Sequence, residues 1–145
     1  MNFLLYDVFS MEAMWQSMPN LSEHVDRETS EAILQECAKI AEQEIAPLSR
    51  QGDEIGVSFK DGQVTTAPGY KEAFRTYADG GWSGLGGDPE FGGMGMPKVI
   101  TALHEEMLCS ADIAFSLYPG LTAGAGLSIA KHASNELKER YLTRM

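Results

Sequence analysis

The segment from Ile113 to His132 constrains the fold of this chain more than any other part of the sequence. Its residues are apolar almost all round a helix, a pattern typical of a helix that is buried on several sides. Glycine destabilises a helix interior by about 0.5–1 kcal/mol relative to alanine. Three glycines in one helix therefore require a reason: either other backbones approach closely there, or a ligand does. The small residues of the segment are Ala114, Ser116, Gly120, Ala123, Gly124, Ala125 and Gly126.

Length and composition predict one globular domain. The chain has 145 residues, of which 43% are hydrophobic and 22% charged, close to the averages for soluble proteins. The formal net charge is −10 and no stretch concentrates Lys or Arg, which argues against nucleic-acid binding. The N-terminus lacks the basic region of a signal peptide, and no apolar run approaches the roughly 18 residues of a membrane span. We therefore expect a cytoplasmic protein that binds no nucleic acid and has no membrane span.

Hydrophobic periodicity predicts an all-α fold of six helices in an up-and-down, bundle-like arrangement. Pro19 is expected to end the first helix, Asp26 to cap the second, and Pro47 to kink the second near its end. Ser134 is expected to cap the last helix. The helices are expected at 3–18, 26–48, 70–79, from 97 to at least 107, 113–132 and 134–145.

One irregular insertion interrupts this helical pattern. The helical period disappears from Gln51 to Pro68, and a loose alternation of residues surrounds the pair Asp61-Gly62. An Asp-Gly pair is a strong short-range signal for a hairpin turn. The sequence therefore predicts a small β-hairpin near residues 56–66.

Side-chain spacing alone reveals no active site. The stretch GGWSGLGGDPEFGGMGMP, residues 80–97, lacks the third glycine of a dinucleotide fingerprint and is preceded by no predicted strand. It also lacks the final glycine of a nucleophile elbow. The three histidines are far apart and are interpreted as surface or helix-end residues. Cys37 and Cys109 are interpreted as buried free thiols.

Three separate segments, in their order and spacing, resemble the N-terminal helical domain of the acyl-CoA dehydrogenase family. EIAPLSRQGDEIG resembles the end of the family's second helix, and Pro89-Glu90-Phe91-Gly92-Gly93 resembles its glycine-rich turn. The segment from 105 to 142 resembles the following helices and ends in the recurring Lys-x-x-Tyr-Leu, here Lys138 to Leu142. FKDGQVTTAPGYKEAFRTYADGGW is most similar to a branch that includes the methylmercaptopropionyl-CoA dehydrogenases.

This resemblance implies an FAD-dependent enzyme of fatty acid metabolism. Such an enzyme is a homo-oligomer that removes two hydrogens across the α and β carbons of an acyl-CoA and passes electrons to an electron-transferring flavoprotein. It also implies that residues 1–145 are only the first of three domains. The catalytic glutamate and the main flavin contacts would lie in the absent β and C-terminal helical domains. No catalytic residue is therefore expected in this chain, and the 145 residues alone are expected to be inactive.

By resemblance, the fifth helix lines the acyl tail of the substrate. The residues that match this wall are Ser116, Leu117, Gly120, Leu121 and Gly124. Some relatives carry a larger residue at the position of Gly120, so the resemblance implies a roomier or differently closed cavity. The alternative is that these small residues serve helix packing only. Ala133 departs from the family, which has a glycine before the last helix, and this puts the backbone geometry there in question.

Two other functions fit the sequence. The chain could be a stand-alone helical interaction module without catalytic activity, which would have to cover an exposed apolar helix by association. It could also belong to a flavin-dependent relative with different chemistry, such as nitroalkane oxidation or monooxygenation. A continuation into a strand-rich, flavin-binding segment would distinguish the dehydrogenase from the module.

Overall fold

A computed structural model describes all 145 residues and confirms a mainly helical fold with one small hairpin. The strands β1 (Ser58–Lys60) and β2 (Gln63–Thr65) pair antiparallel and are joined by Asp61 and Gly62, both with positive φ. The hairpin predicted near residues 56–66 is thus present. The α-helices are α1 (Met11–Gln16), α2 (Arg27–Ile40), α3 (Ala46–Ile55), α4 (Tyr70–Asp79), α5 (Lys98–Ala111), α6 (Ile113–His132) and α7 (Asn135–Tyr141).

The first predicted helix, 3–18, is broken into two parts. A π-helical turn, Phe3–Val8, is separated from α1 by Ser10, which has a φ of 49°. Left-handed backbone at a residue other than glycine is uncommon and interrupts a helix. The prediction of one continuous helix was therefore wrong, although both parts pack against the same core.

The second predicted helix is longer than expected and contains a wide turn. Asp26 caps α2 by accepting a hydrogen bond from Thr29 N at 2.7 Å, as predicted. A π-helical turn, Ala41–Ile45, then leads into α3, and the helix ends only at Gly56, where φ is 66°. Pro47 has no N–H and crowds the carbonyl four residues before it, so the widened turn accommodates it. The expectation that the helical period ends near Gln51 was wrong by about one turn.

Two groups of buried side chains form the core. The first joins the N-terminal segment to α2, α5 and the glycine-rich stretch 80–97, and the second joins the π turn Ala41–Ile45, α4, α5 and α6. The first group is Leu5, Trp15, Leu21, Val25, Leu34, Leu85, Met96 and Ile100. The second is Ile45, Ala67, Tyr70, Ala73, Tyr77, Leu108 and Phe115.

Helix α6 runs where the sequence predicts it, but it is not buried on several sides. Only Phe115 and Pro119 are buried, and large apolar side chains along the rest of the helix face outward. The expectation that no apolar run approaches the length of a membrane span was wrong, because α6 could cross a membrane by length and composition. That is weak evidence for a span, since the core helices of other proteins pass the same test. The apolar character of α6 therefore calls for a partner or ligand that this chain does not supply.

Candidate functional site

The five residues predicted to form an acyl-chain wall share one face of α6. Ser116, Gly120 and Gly124 follow one another at four-residue spacing, and Leu117 and Leu121 lie beside them at the same spacing. Leu117 is 59% exposed and Leu121 is 75% exposed, whereas Ser116 is half-buried. We call these five residues the outward face of α6. The structure brings them onto one surface, and their role in binding an acyl chain stays a prediction.

No neighbouring atom explains the two glycines of the outward face. A β-carbon built on Gly120 or Gly124 would meet no heavy atom within 4 Å beyond the adjacent turns of its own helix. Neither residue has a positive φ, so backbone strain does not require glycine either. Helix packing within this chain therefore does not account for them. They leave open space on an apolar surface.

Ser116 lies at the edge of the outward face nearest α5. Its hydroxyl donates to the Ile113 carbonyl oxygen at 2.7 Å and accepts from the Cys109 thiol at 3.5 Å. Because its proton is already shared with its own helix, Ser116 adds little polarity to the face. Cys109 is exposed, so the prediction that both cysteines are buried was wrong for Cys109 and right for Cys37, the pKa of which burial raises to about 12.

The start of α6 is fixed by a buried carboxylate that the sequence analysis did not single out. Asp112 accepts a hydrogen bond from Phe115 N at 3.0 Å through Oδ1, and the Tyr70 hydroxyl donates to Oδ2. Both residues are buried, and burial followed by this hydrogen bond raises the pKa of Tyr70. An Asp before an apolar run is a helix-cap signal, but nothing in the sequence connects it to a tyrosine 42 residues away.

A groove of about 730 Å³ lies between α3 and the start of α6, and this tyrosine–aspartate pair is part of its lining. Asp53 and Asp112 contribute two carboxylates to its lining, and Arg50, which also lines it, is paired with Glu54 at 2.8 Å. Ile113 lines the groove and continues into the row of outward-facing residues on α6. The groove is therefore lined by both carboxylates and apolar side chains.

His104 is buried, which contradicts the expectation of a surface or helix-end histidine. Its ring stacks on Tyr77, with centroids 5.7 Å apart, and on Trp82, with centroids 5.8 Å apart. Burial of the imidazole lowers its pKa to about 4. The neutral ring therefore serves as part of the core, between α4 and the glycine-rich stretch.

We expect the free energy of unfolding to fall as the pH is lowered from about 6.5 to about 4. His104 has a lower pKa in the folded state, so the unfolded state binds its proton first. This destabilisation by His104 is absent above about pH 6.5 and reaches on the order of 3 kcal/mol near pH 4. Urea unfolding at about pH 7, 5.5 and 4.5 measures this dependence. His104→Phe should weaken it and the exposed-site variant His132→Gln should keep it, while equal dependence in all three proteins would contradict this assignment.

The glycine-rich stretch folds onto itself. Met94 N donates to the Gly84 carbonyl at 2.9 Å, and Met96 N donates to the Leu85 carbonyl at 3.0 Å. Gly93 lies so close to Gly87 that a β-carbon on Gly93 would be 2.2 Å from the Gly87 carbonyl carbon. Amides used in this way cannot form a phosphate cradle, in agreement with the incomplete dinucleotide fingerprint.

Comparison with known proteins identifies the family. A model of the acyl-CoA dehydrogenase N-terminal domain matches residues 27–145. This chain belongs to the acyl-CoA dehydrogenase family. The resemblance of the three sequence segments to that family is thereby confirmed.

Individual relatives agree with the family and with its expected branch. A 3-methylmercaptopropionyl-CoA dehydrogenase from Ruegeria pomeroyi is 34% identical over 142 residues, which cover 95% of this chain and 24% of that protein. A broad-specificity linear acyl-CoA dehydrogenase from Mycobacterium tuberculosis is 33% identical over 121 residues, covering 81% of this chain and 19% of its own length. A butyryl-CoA dehydrogenase from Syntrophomonas wolfei is 33% identical over 110 residues, which cover 74% of this chain and 18% of that protein. The chain thus spans about a quarter or less of each relative.

The position of Ala133 raises no conflict with the family. Its φ is −83° and its ψ is 160°, an extended conformation that any residue adopts. Ser134 then caps α7 by accepting from Leu137 N at 3.4 Å, as predicted. The departure from the family's glycine therefore leaves the backbone before α7 unstrained.

Proposed function

We propose that this chain is the N-terminal helical domain of an FAD-dependent acyl-CoA dehydrogenase. In this proposal the outward face of α6 forms one wall of the pocket for the acyl chain. The family supports the type of enzyme, and the relatives, which are four or more times longer, support the presence of further domains. The observation that carries the proposal is an apolar helix face with two glycines beside open space.

An acyl chain suits this face because the face offers apolar contact without competing polar groups. Each methylene buried against Leu117 or Leu121 contributes about 0.8 kcal/mol. None of the five side chains of the face is titratable, and the Ser116 hydroxyl already has two partners. The face would therefore hold the tail, exclude water from it and leave the reacting carbons to groups elsewhere in the protein.

The surroundings of the outward face of α6 offer no free carboxylate to serve as the base that removes the α proton of the acyl-CoA. The acidic residue adjoining the outward face is Asp112, and both of its oxygens accept hydrogen bonds from within the chain. A carboxylate held in this way is a structural group rather than a free base. We propose that the catalytic carboxylate lies in a C-terminal helical domain, as in the family.

The residues of this chain do not by themselves form a site for FAD. Several amides of the glycine-rich stretch, including those of Met94 and Met96, are bonded within that stretch, and two carboxylates, Asp53 and Asp112, line the groove beside α6 and repel a pyrophosphate. We therefore propose that FAD binds to other domains of the enzyme. An absorbance spectrum of the isolated chain checks this point, and bound flavin there would contradict it.

The proposal extends to the partners of the whole enzyme. We propose that it takes an acyl-CoA as substrate, gives electrons to an electron-transferring flavoprotein and assembles as a homo-oligomer. Exposed apolar side chains away from α6, such as Phe3, Val8 and Phe59, support assembly with further protein surfaces. The interaction-module alternative would be favoured by a different result. In that result the purified chain binds a protein partner, and acyl-CoA neither binds to the chain nor changes this interaction.

Replacing Gly120 with leucine should shorten the acyl chain that the full-length enzyme prefers. The new side chain would fill the open space beside α6 and displace about two methylenes of the substrate, lowering kcat/KM for long acyl-CoAs at least tenfold relative to butyryl-CoA. The measurement is kcat/KM with dye reduction over a series of straight-chain acyl-CoAs.

The matched control is Ala32→Leu, which introduces the same leucine side chain at an exposed position of α2. It should leave the ratio of long to short substrates unchanged. If Gly120→Leu also left this ratio unchanged while the enzyme stayed folded and yellow, the outward face of α6 would not be the wall of the acyl pocket.

A further inference from the structure

The hydrophobicity of α6 does not decide which of its sides turns outward. Apolar residues are spread almost evenly around the helix, with Leu117 and Leu121 on one side and Phe115 and Ile129 on the other. An amphipathic helix is oriented because one stripe gains more from burial than the rest. Helix α6 has no such stripe, so another interaction has to set its rotation about its own axis.

The structure contains an interaction of this kind at the first turn of α6. The two oxygens of Asp112 bind different elements: Oδ1 accepts from Phe115 N in α6, and Oδ2 accepts from the Tyr70 hydroxyl in α4. Rotation of α6 would move Asp112 away from Tyr70 and leave a buried carboxylate oxygen without its donor. Such a loss is energetically unfavourable because Asp112 is 5% exposed and water reaches it poorly.

Two further contacts reinforce this arrangement. The Phe115 ring is fully buried and lies 6.4 Å from the Tyr70 ring and 5.9 Å from the Tyr77 ring, measured between centroids. Gly52 in α3 makes room for the tyrosine, since a β-carbon there would be 1.9 Å from the Tyr70 hydroxyl oxygen. Three helices thus meet around one hydrogen-bonded pair.

We propose that Tyr70 and Asp112 are positioning residues that set the rotation of α6 and so select which of its residues form the outward face. Gly52 provides the space in which the pair forms. The consequence for the acyl chain rests on the proposed function, whereas the rotation of the helix does not. The pair touches no substrate in this scheme and acts through the orientation of Leu117, Gly120 and Leu121.

Thiol labelling of the 145-residue chain tests the proposal without any substrate. Single cysteines are introduced by Leu121→Cys, on the outward face, and by Thr122→Cys, on the half-buried side. The exposed Cys109 is replaced by serine, and Cys37 stays because it is buried. With the pair intact, iodoacetamide should label position 121 at least about tenfold faster than position 122.

In Tyr70→Phe and Asp112→Ala this ratio should fall at least about threefold, because the helix samples other rotations. Asp112→Asn should show a ratio between those of Asp112→Ala and the intact pair, since asparagine can cap α6 and still bond to the tyrosine. Asp26→Ala is the matched control: it removes an exposed helix cap whose hydrogen bond comes from Thr29 N in the same helix, α2. It should lower Tm and leave the ratio unchanged.

The outcomes separate a positioning role from a purely stabilising one. An unchanged ratio of labelling rates in folded Tyr70→Phe would overturn the proposal, even if Tm fell. If Asp112→Ala does not fold, the result for Tyr70→Phe decides the test. The labelling ratio also stands apart from the proposed function. If Gly120→Leu failed to change the acyl preference but Tyr70→Phe lowered the ratio, the acyl wall would be wrong and the positioning role would stand.

Discussion

Replacing Trp15 with alanine should lower the free energy of unfolding by about 3–5 kcal/mol, which is the usual result of truncating a large buried aromatic side chain. Trp15 is 1% exposed and belongs to the first core group, together with Leu85 and Met96 of the glycine-rich stretch. Residues 1–26 lie outside the range that matches the family model, so this prediction also tests whether the N-terminal segment is part of the folding unit.

Urea unfolding followed by circular dichroism measures the effect. Met14→Ala is the matched control, because Met14 is in the same helix and 46% exposed, and it should change stability by less than about 0.5 kcal/mol. If Trp15→Ala and Met14→Ala had similar small effects, the N-terminal segment would not pack on the domain as described.

Gly93→Ala should lower the free energy of unfolding by about 3 kcal/mol, at the upper end of the range for overpacked sites. The new β-carbon would be 2.2 Å from the Gly87 carbonyl carbon, and backbone atoms cannot move aside as a flexible side chain can. The glycine-rich stretch would have to open, which would disturb the hydrogen bonds from Met94 and Met96.

Gly84→Ala provides the control within the same stretch. A β-carbon on Gly84 would be 3.6 Å from its nearest neighbour, an ordinary contact, and its φ is not positive. We expect this variant to unfold within about 1 kcal/mol of the wild type. Equal destabilisation by the two substitutions would show that any change in this loop is harmful and that close backbone approach is not the cause.

Much of the secondary structure could be predicted because it depends on local signals. Asp26 and Ser134 each begin a helix through a side-chain cap, and Asp61-Gly62 adopts the positive φ values of a tight turn. The errors arose where one local signal was compensated by another. Pro47 and the loss of helical period from Gln51 suggest the end of a helix, yet a π turn before the proline and the packing of Tyr70 over Gly52 let the helix continue.

The candidate site could be predicted only in part. The small residues of α6 are evident in the sequence, and the family resemblance assigns them a role. The side of α6 that faces outward could not be predicted, since the helix is apolar all round and its orientation depends on contacts between distant segments. The apolar pattern also led to the wrong expectation of burial, because a sequence does not say whether the covering surface belongs to the same chain.

The π turn at Ala41–Ile45 has a consequence for the whole second half of that helix. Such a turn contains one residue more than an α-helical turn, so it shifts every later residue by about 100° and 1.5 Å relative to an unbroken helix. In a regular α-helix of the same sequence, Gln51 would occupy the place that Gly52 now takes beneath Tyr70. The extra residue therefore changes which residues of α3 face α4. The length of this one turn determines whether Gly52 or the larger Gln51 side chain meets the Tyr70 hydroxyl.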